Sequence, residues 1–399
     1  MENRIKHIKV LRVIARLNIG GPAIHTILLT HFLNTSIETR LVVGNVSRGE
    51  ESMDYLLEHY KVKPYYLNTL QRELSFAADI KSLFSIYKLI KEFKPDIVHT
   101  HTAKAGAVGR GAAILYNILH LRFGKHRVRI VHTFHGHVFK GYFNSITTSI
   151  FIWIERLLAI FTDRIIAVSD ALKGELVNDY KIAKDHKIQV IYNGYDLKQF
   201  LDVEASSDLK KQSINITTVG RLVPIKGHKF LIKSFSLLTF PSELIIVGDG
   251  VLKQELIQLT EGLKLSNRVH FTGYVKDIVP IYRKTDIFVL SSLNEGAPVA
   301  IIEALACAKP VVATNVGGVK DLLGNTEEQI SKDVYLCERG MLVPPADERA
   351  IAVAISYLVN NPKISYEISV NGRAFVSKFF TVDRLIKDIS SLYRDILQW

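Results

Sequence analysis

Residues able to do chemistry gather in a few short stretches of this 399-residue chain. The densest runs from Ser291 to Thr314. There Glu295-Gly296-Ala297-Pro298 precedes an apolar helical run, and Glu303 lies inside that run. A carboxylate in an apolar helix is costly unless it is paired or faces a ligand. Both accounts stay open: ligand-facing carboxylates, or a helix-start acid with a salt bridge. A second stretch, Val219-Gly220-Arg221-Leu-Val-Pro-Ile-Lys226-Gly227, sets a guanidinium and an ammonium on one glycine-flanked loop. That pair suits a diphosphate, the first by its planar fork and the second as a point charge. Gly20-Gly21-Pro22 is either a plain tight turn or a helix start whose free amides hold an anion. Gly248-Asp249-Gly250 and Gly273-Tyr274-Val275-Lys276-Asp277 add further tight loops.

Histidines form the last cluster. His99 and His101 alternate along Asp96–Gly106, and His132, His135 and His137 follow in Arg129–His137. Alternation sends His99 and His101 to one side of a strand. Zinc needs three or four ligands in defined geometry, and neither an HExxH spacing nor a carboxylate set accompanies these histidines. The expectation is therefore polar strand ends lining a cleft, with no metal.

Short β-branched runs alternating with helical periodicity must position these groups. Strands are predicted at Ile8–Ala15, Arg40–Val43, Asp96–His101, Arg129–Phe134, Arg164–Val168 and Ile188–Ile191, with helices between them, including Phe76–Phe93 and Ser145–Ile160. The aperiodic Asp202–Gln212 is the linker. Strands then resume at Ile214–Val219, Glu243–Val247, Val269–Phe271, Asp286–Leu290 and Pro310–Ala313, and an amphipathic helix, Val382–Gln398, ends the chain. This alternation predicts an α/β protein of two doubly wound domains facing each other, with ligands at the carboxyl ends of the strands. The expected division is 1–195, 196–380 and a terminal helix 381–399 returning to the first domain.

A hydrophobic fraction of 48% with 23% charged residues excludes a disordered or fibrous chain. Two cysteines, Cys307 and Cys337, cannot build a disulfide framework. The first nine residues lack an apolar signal core, and Ile146–Ile154 is too short to cross a bilayer, so a cytoplasmic protein is expected. The net charge of +12 is uneven: residues 1–195 carry 27 Lys+Arg against 16 Asp+Glu, the remainder 24 against 23. That asymmetry suggests an anionic partner for the first half. The basic Leu119–Arg129 beside the aromatic-rich Phe139–Ile154 suggests reversible docking on an anionic membrane surface. No nucleic-acid recognition motif accompanies the charge.

Read in order, Gly20-Gly21-Pro22, the His-Thr-Phe-His-Gly of 132–136, Val168-Ser169-Asp170, Asn193-Gly194-Tyr195-Asp196, Gly220-Arg221-Leu-x3-Lys226-Gly227 and Glu295-x7-Glu303 resemble the retaining glycosyltransferases of family 4. The resemblance covers nearly the whole chain. It implies the GT-B fold of two facing Rossmann-like domains, an acceptor-binding first domain and a nucleotide-sugar-binding second one. It implies that Gly20 and Gly21 approach the donor diphosphate and acceptor, that His135 lies near the reacting carbon, and that Arg221 and Lys226 neutralise the leaving diphosphate. Glu295 is implied to contact the donor sugar and the backbone of Gly296, Ala297 and Pro298 its hydroxyls. Glu303 would hold the ribose, and Val275 would lie near the base. Two residues depart from the pattern: Ala297 stands where Phe or Leu is common, and Ala308 where Gly is frequent before Lys-Pro.

The chain has no Asp-x-Asp. The resemblance therefore implies transfer without metal or other cofactor, the two cations and amide dipoles carrying the charge of the leaving group. The implied partners are a UDP- or GDP-linked sugar and a lipid-linked or glycan acceptor of cell-surface polysaccharide synthesis, at the inner face of a bacterial membrane. A UDP-N-acetylglucosamine 2-epimerase-like enzyme and an inactive sugar-nucleotide-binding subunit are the alternatives.

Overall fold

A computed structural model of the protein describes residues 8–18, 20–34, 37–46, 52–71, 75–121, 127–136, 145–205 and 212–398. Arg122, Lys125 and the beginning of the Phe139–Ile154 run fall outside the described residues, as do 206–211 of the Asp202–Gln212 stretch. The chain divides into two compact units. Met1–Tyr195 with Val382–Trp399 forms one, and Asp196–Thr381 the other.

The first unit is built on β1 (Ile8–Ile14), β2 (Ile37–Val43), β3 (Tyr65–Tyr66), β4 (Ile97–His101), β5 (Arg129–Phe134), β6 (Arg164–Ala167) and β7 (Ile188–Val190). All pairs are parallel, in the order β3-β2-β1-β4-β5-β6-β7. Such a sheet is covered on both faces, which is why β1 and β4 read as near-continuous buried runs instead of alternating ones. The helix Phe76–Phe93 starts at a Ser75 N-cap and ends at Lys94, whose left-handed φ of 53° precedes Pro95. The terminal helix Val382–Leu397 packs Leu385, Ile389, Leu392 and Tyr393 against Ile8, Val10, Leu29 and Leu33. Each fully buried apolar side chain of this kind contributes about 1.5–3 kcal/mol, enough to hold a terminal helix.

The second unit contains β8 (Ile214–Val219), β9 (Ser242–Val247), β10 (Val269–Gly273), β11 (Ile287–Leu290), β12 (Val311–Thr314), β13 (Thr326–Ser331), β14 (Val334–Cys337) and β15 (Gly340–Val343). Their order is β10-β9-β8-β11-β12-β15-β14-β13. The last three strands pair antiparallel and extend one edge beyond the parallel sheet that the sequence predicts. The edge strand β13, Thr-Glu-Glu-Gln-Ile-Ser, is mostly exposed and lacks apolar alternation, so periodicity gives no signal for it.

Candidate active site

The parallel part of each sheet reverses its winding once. In the second unit β8 lies between β9 and β11, and a ligand crevice forms where the chain winds away in both directions. The two loops leaving the carboxyl ends of β8 and β11 carry the predicted residues. After β8 the chain passes exposed Arg221 and makes a single 3-10 turn, Pro224–Lys226, ended by Gly227 at φ 64°. After β11 it runs through Ser291 and Ser292, both buried, to Glu295. Lys226 Nζ lies 2.6 Å from Glu295 Oε1, and the Ser292 hydroxyl donates to the same oxygen at 2.6 Å.

The two loops are locked together by backbone. Leu293 N donates to Ile225 O at 2.7 Å, and the Ser291 hydroxyl to Lys226 O at 3.2 Å. Two glycines allow this closeness. A Cβ on Gly227 would meet Ser291 O at 2.1 Å, and one on Gly317, at φ 51°, would meet Glu295 O at 1.7 Å. Any side chain there would push the glutamate loop away. Arg221 makes no ion pair among the described residues, so its guanidinium is available to an incoming anion.

Gly296, Ala297 and Pro298 lead into the helix Val299–Ala306. That helix start has no side-chain cap and no acid in its first turn, leaving its free amides to an outside acceptor. One helical turn further on, Glu303 accepts a hydrogen bond at 2.9 Å from the Tyr282 hydroxyl, which also reaches Ala300 O at 3.1 Å. Burial pushes the Glu303 carboxyl up to about 7, with the Tyr282 bond pulling the other way. Among the described residues no cation pairs with it, so the salt-bridge account does not apply to this residue there; it does hold for Glu295. The same helix ends in a left-handed turn at Ala308, φ 47°, with Ala308 N bonded to Leu305 O and Lys309 N to Ala304 O. Glycine is favoured at that position, which accounts for its frequency in the family pattern; nothing in the structure explains the alanine. Val275 is half-buried in the loop between β10 and the helix Val279–Lys284.

In the first unit the reversal falls between β1 and β4, and the histidines collect there. Gly20 and Gly21 open the helix Gly21–Leu33, again with no side-chain cap and no acid in the first turn. His25 lies on that helix, its ring centroid 4.8 Å from that of His135 at the end of β5. His135 Nε2 is 3.1 Å from His101 Nδ1. The nitrogens of His25, His101 and His135 lie within 4.8 Å of one another, close enough to share a divalent ion. No carboxylate or thiol joins them among the described residues. Burial lowers all three imidazoles well below their ordinary value, His135 to about 3. His99 points to the same region but is engaged, with Nδ1 2.6 Å from the Tyr393 hydroxyl and Nε2 2.7 Å from Thr133 Oγ1.

Some of the machinery gives little sequence signal. Fully buried Arg12, in mid-strand, reaches Thr30 Oγ1 at 3.1 Å and the Tyr393 hydroxyl at 3.2 Å, so the terminal helix helps to orient His99. An arginine inside an apolar strand is the one available clue. Tyr282 and Ser292 carry no clue at all, because both depend on a long-range approach. The Val168-Ser169-Asp170 motif is structural: Ser169 caps the helix Asp170–Gly174, and Asp170 accepts from the Tyr192 hydroxyl.

Residues 19–199 match the model of the Glycosyltransferase Family 4, and residues 201–375 that of the Glycosyl transferases group 1. Among curated proteins, the chain is 31% identical over 359 residues to the UDP-Gal:alpha-D-GlcNAc-diphosphoundecaprenol alpha-1,3-galactosyltransferase of Escherichia coli, covering 86% of each chain. It is 28% identical over 369 residues to the capsular polysaccharide biosynthesis glycosyltransferase CapM of Staphylococcus aureus, covering 88% of this chain and 89% of that one. Among solved structures, Anabaena HepE in complex with UDP superposes with a TM-score of 0.75 at 22% identity, over 98% of this chain and 100% of the other. The fold is that of the GT-B glycosyltransferases, and the chain belongs to glycosyltransferase family 4.

Proposed function

We propose that the protein transfers a hexose from a UDP-linked donor to an acceptor carried on a lipid diphosphate, with retention, during cell-surface polysaccharide synthesis at the cytoplasmic face of the membrane. The observation that carries the reading is the loop pair after β8 and β11, where Lys226, Glu295 and Ser292 converge beside an uncapped helix start. Lys226 and Arg221 take the diphosphate, and their charge replaces the cation that other transferases use for the leaving group. Glu303 accepts from the ribose hydroxyls, Val275 borders the base, and Glu295 with the backbone of Gly296, Ala297 and Pro298 holds the sugar. In the first unit, Gly20, Gly21 and His135 serve the acceptor side and the reacting carbon.

In the reaction the bond from the anomeric carbon to the diphosphate oxygen breaks as the acceptor oxygen bonds that carbon from the same face. The acceptor proton passes to the departing diphosphate. The donor and acceptor classes follow the relatives, since the E. coli enzyme is named for UDP-galactose and a diphosphoundecaprenol acceptor. The test is calorimetry with UDP and GDP, followed by transfer of labelled sugar to a short-chain prenyl-diphosphate glycan. UDP binding together with a labelled lipid product is expected. GDP preference, or isomerised donor with no transfer, would overturn the reading.

A further inference from the structure

The helix Ser145–Phe161 is inside out. Its only acid, Glu155, is buried and bonds to fully buried Arg110 at 2.6 Å. Its only base, Arg156, turns to Tyr180 O at 3.0 and 2.7 Å. The side facing solvent carries Ile146, Ile150, Trp153, Leu157 and Ile160, each between 54% and 73% exposed. Their spacing of four, three, four and three places them on one stripe, about 21 Å long. A continuous apolar stripe of that kind on an outer helix marks an interaction surface, unlike singly scattered apolar residues.

Charge at the end of the stripe indicates what covers it. Lys187 Nζ donates to Ile160 O at 3.0 Å, and Arg127 and Arg129 both reach Asp163 Oδ1, at 3.1 and 3.2 Å. Arg164 follows directly and bonds the Asp163 backbone carbonyl at 3.3 Å, so of these four cations two are paired with the one carboxylate and two reach backbone oxygens. From residue 97 to residue 154 the chain holds seven Lys+Arg and no Asp or Glu. A second copy of this face would bring Asp163 alone, already paired with its own Arg127 and Arg129, whereas a layer of lipid phosphates over acyl chains matches both the charge and the stripe. We propose that the Ser145–Phe161 helix docks the protein on an anionic phospholipid bilayer, with the stripe entering the acyl boundary and Arg127, Arg129, Arg164 and Lys187 meeting lipid phosphates.

The chain has two tryptophans, Trp153 and Trp399, so a Trp399→Phe background makes Trp153 the sole reporter. Vesicles of phosphatidylglycerol and phosphatidylethanolamine should blue-shift its emission, and brominated lipid should quench it. Vesicles of phosphatidylcholine alone should do neither, and high salt should release the protein. Arg127→Ser with Lys187→Ser should weaken binding about 25-fold, at roughly fivefold per surface cation. In the full-length chain, Trp153→Ser with Leu157→Ser should abolish flotation while leaving thermal unfolding and UDP binding unchanged. No sugar nucleotide or acceptor is present during flotation, so a wrong donor assignment leaves the result intact. An unshifted Trp153 on anionic vesicles at low salt would overturn the proposal, as would equal binding to neutral vesicles. So would a concentration-dependent dimer that Trp153→Ser dissolves and that ignores vesicles.

Discussion

Replacing Glu303 by Gln separates binding from stability, because the enclosed carboxyl ionises with difficulty. Its rise from 4.5 to about 7 corresponds to about 3 kcal/mol between its two protonation states. The unfolded chain ionises Glu303 above pH 4.5 while the folded protein keeps it protonated up to about 7. Stability from this residue is therefore fully present below pH 4.5, falls between these values and levels off above them. Glutamine has no such slope. Glu303→Gln should gain on the native protein by about 1 kcal/mol at pH 5.5 and up to about 3 kcal/mol at pH 8. At about 2–4 °C per kcal/mol for a unit of this size, the higher value shifts its melting by about 6–12 °C. A glutamine amide without an acceptor would lower both figures equally, so the slope with pH is the readout. UDP affinity should move the other way. On the proposed reading Glu303 accepts ribose hydroxyls more strongly when ionised, so affinity should rise as pH rises through 7. Glu303→Gln should lose about 10–100-fold at pH 8, the worth of a hydrogen bond to a charged group. Thermal unfolding and calorimetry across pH 5.5–8 measure both. A variant that melts with no pH-dependent gain and binds UDP as tightly as the native protein would make Glu303 merely a partner of Tyr282.

Lys226→Ala should lower turnover by about 10²–10³ with little change in fold, and EDTA should leave the native rate intact; loss restored by one divalent cation would refute the metal-free proposal. Glu295→Gln releases Lys226 from its 2.6 Å pair, so UDP binding should stay within about threefold or tighten while turnover falls. If calorimetry instead shows UDP binding falling as far as in Lys226→Ala, Glu295 acts by orienting the lysine. Ala308→Gly should stabilise the second unit by about 1 kcal/mol, read as a melting shift of about 2–4 °C, because it removes a left-handed alanine at φ 47°.

What was legible in the sequence depended on how local its cause was. Phe76–Phe93, Arg129–Phe134 and Ile214–Val219 have the same bounds in sequence and structure because capping and burial act within the segment itself. Gly227 and Lys226 were legible as a loop with a cation, but the bond from Lys226 to Glu295 was not, since it depends on two strands being neighbours in the sheet. Tyr282 was unreadable for the same reason: it meets Glu303 only when the helix Val279–Lys284 packs beside Val299–Ala306. The histidine strands gave the right direction for His99 and His101 and missed His25, which enters from a helix where its spacing says nothing. The edge strand β13 escaped because an exposed, polar strand has no period to detect, and β14 and β15, though buried, are runs of only four residues.

The two reversal points share a geometry and differ in charge, and that difference divides the chemistry. In the first unit His25, His99, His101, His132 and His135 are all held below their ordinary value, by burial first and by neighbouring imidazoles and arginines in most of them. The half of the chain with the larger net charge therefore presents a neutral wall at pH 7. A leaving diphosphate needs fixed positive charge. On the proposed reading Arg221 and Lys226 of the second unit supply it, whereas His135 offers a neutral ring whose Nδ1 has no partner among the described residues. Its role on that account is to hydrogen-bond a sugar or acceptor hydroxyl, and it does not act as a cation. Three neutral imidazoles are also the protonation state in which a transition metal would bind, so the same burial that removes charge leaves a ligand set open. The chelator experiment decides between these uses, because hydrogen bonding by His135 is indifferent to EDTA and ligation is not.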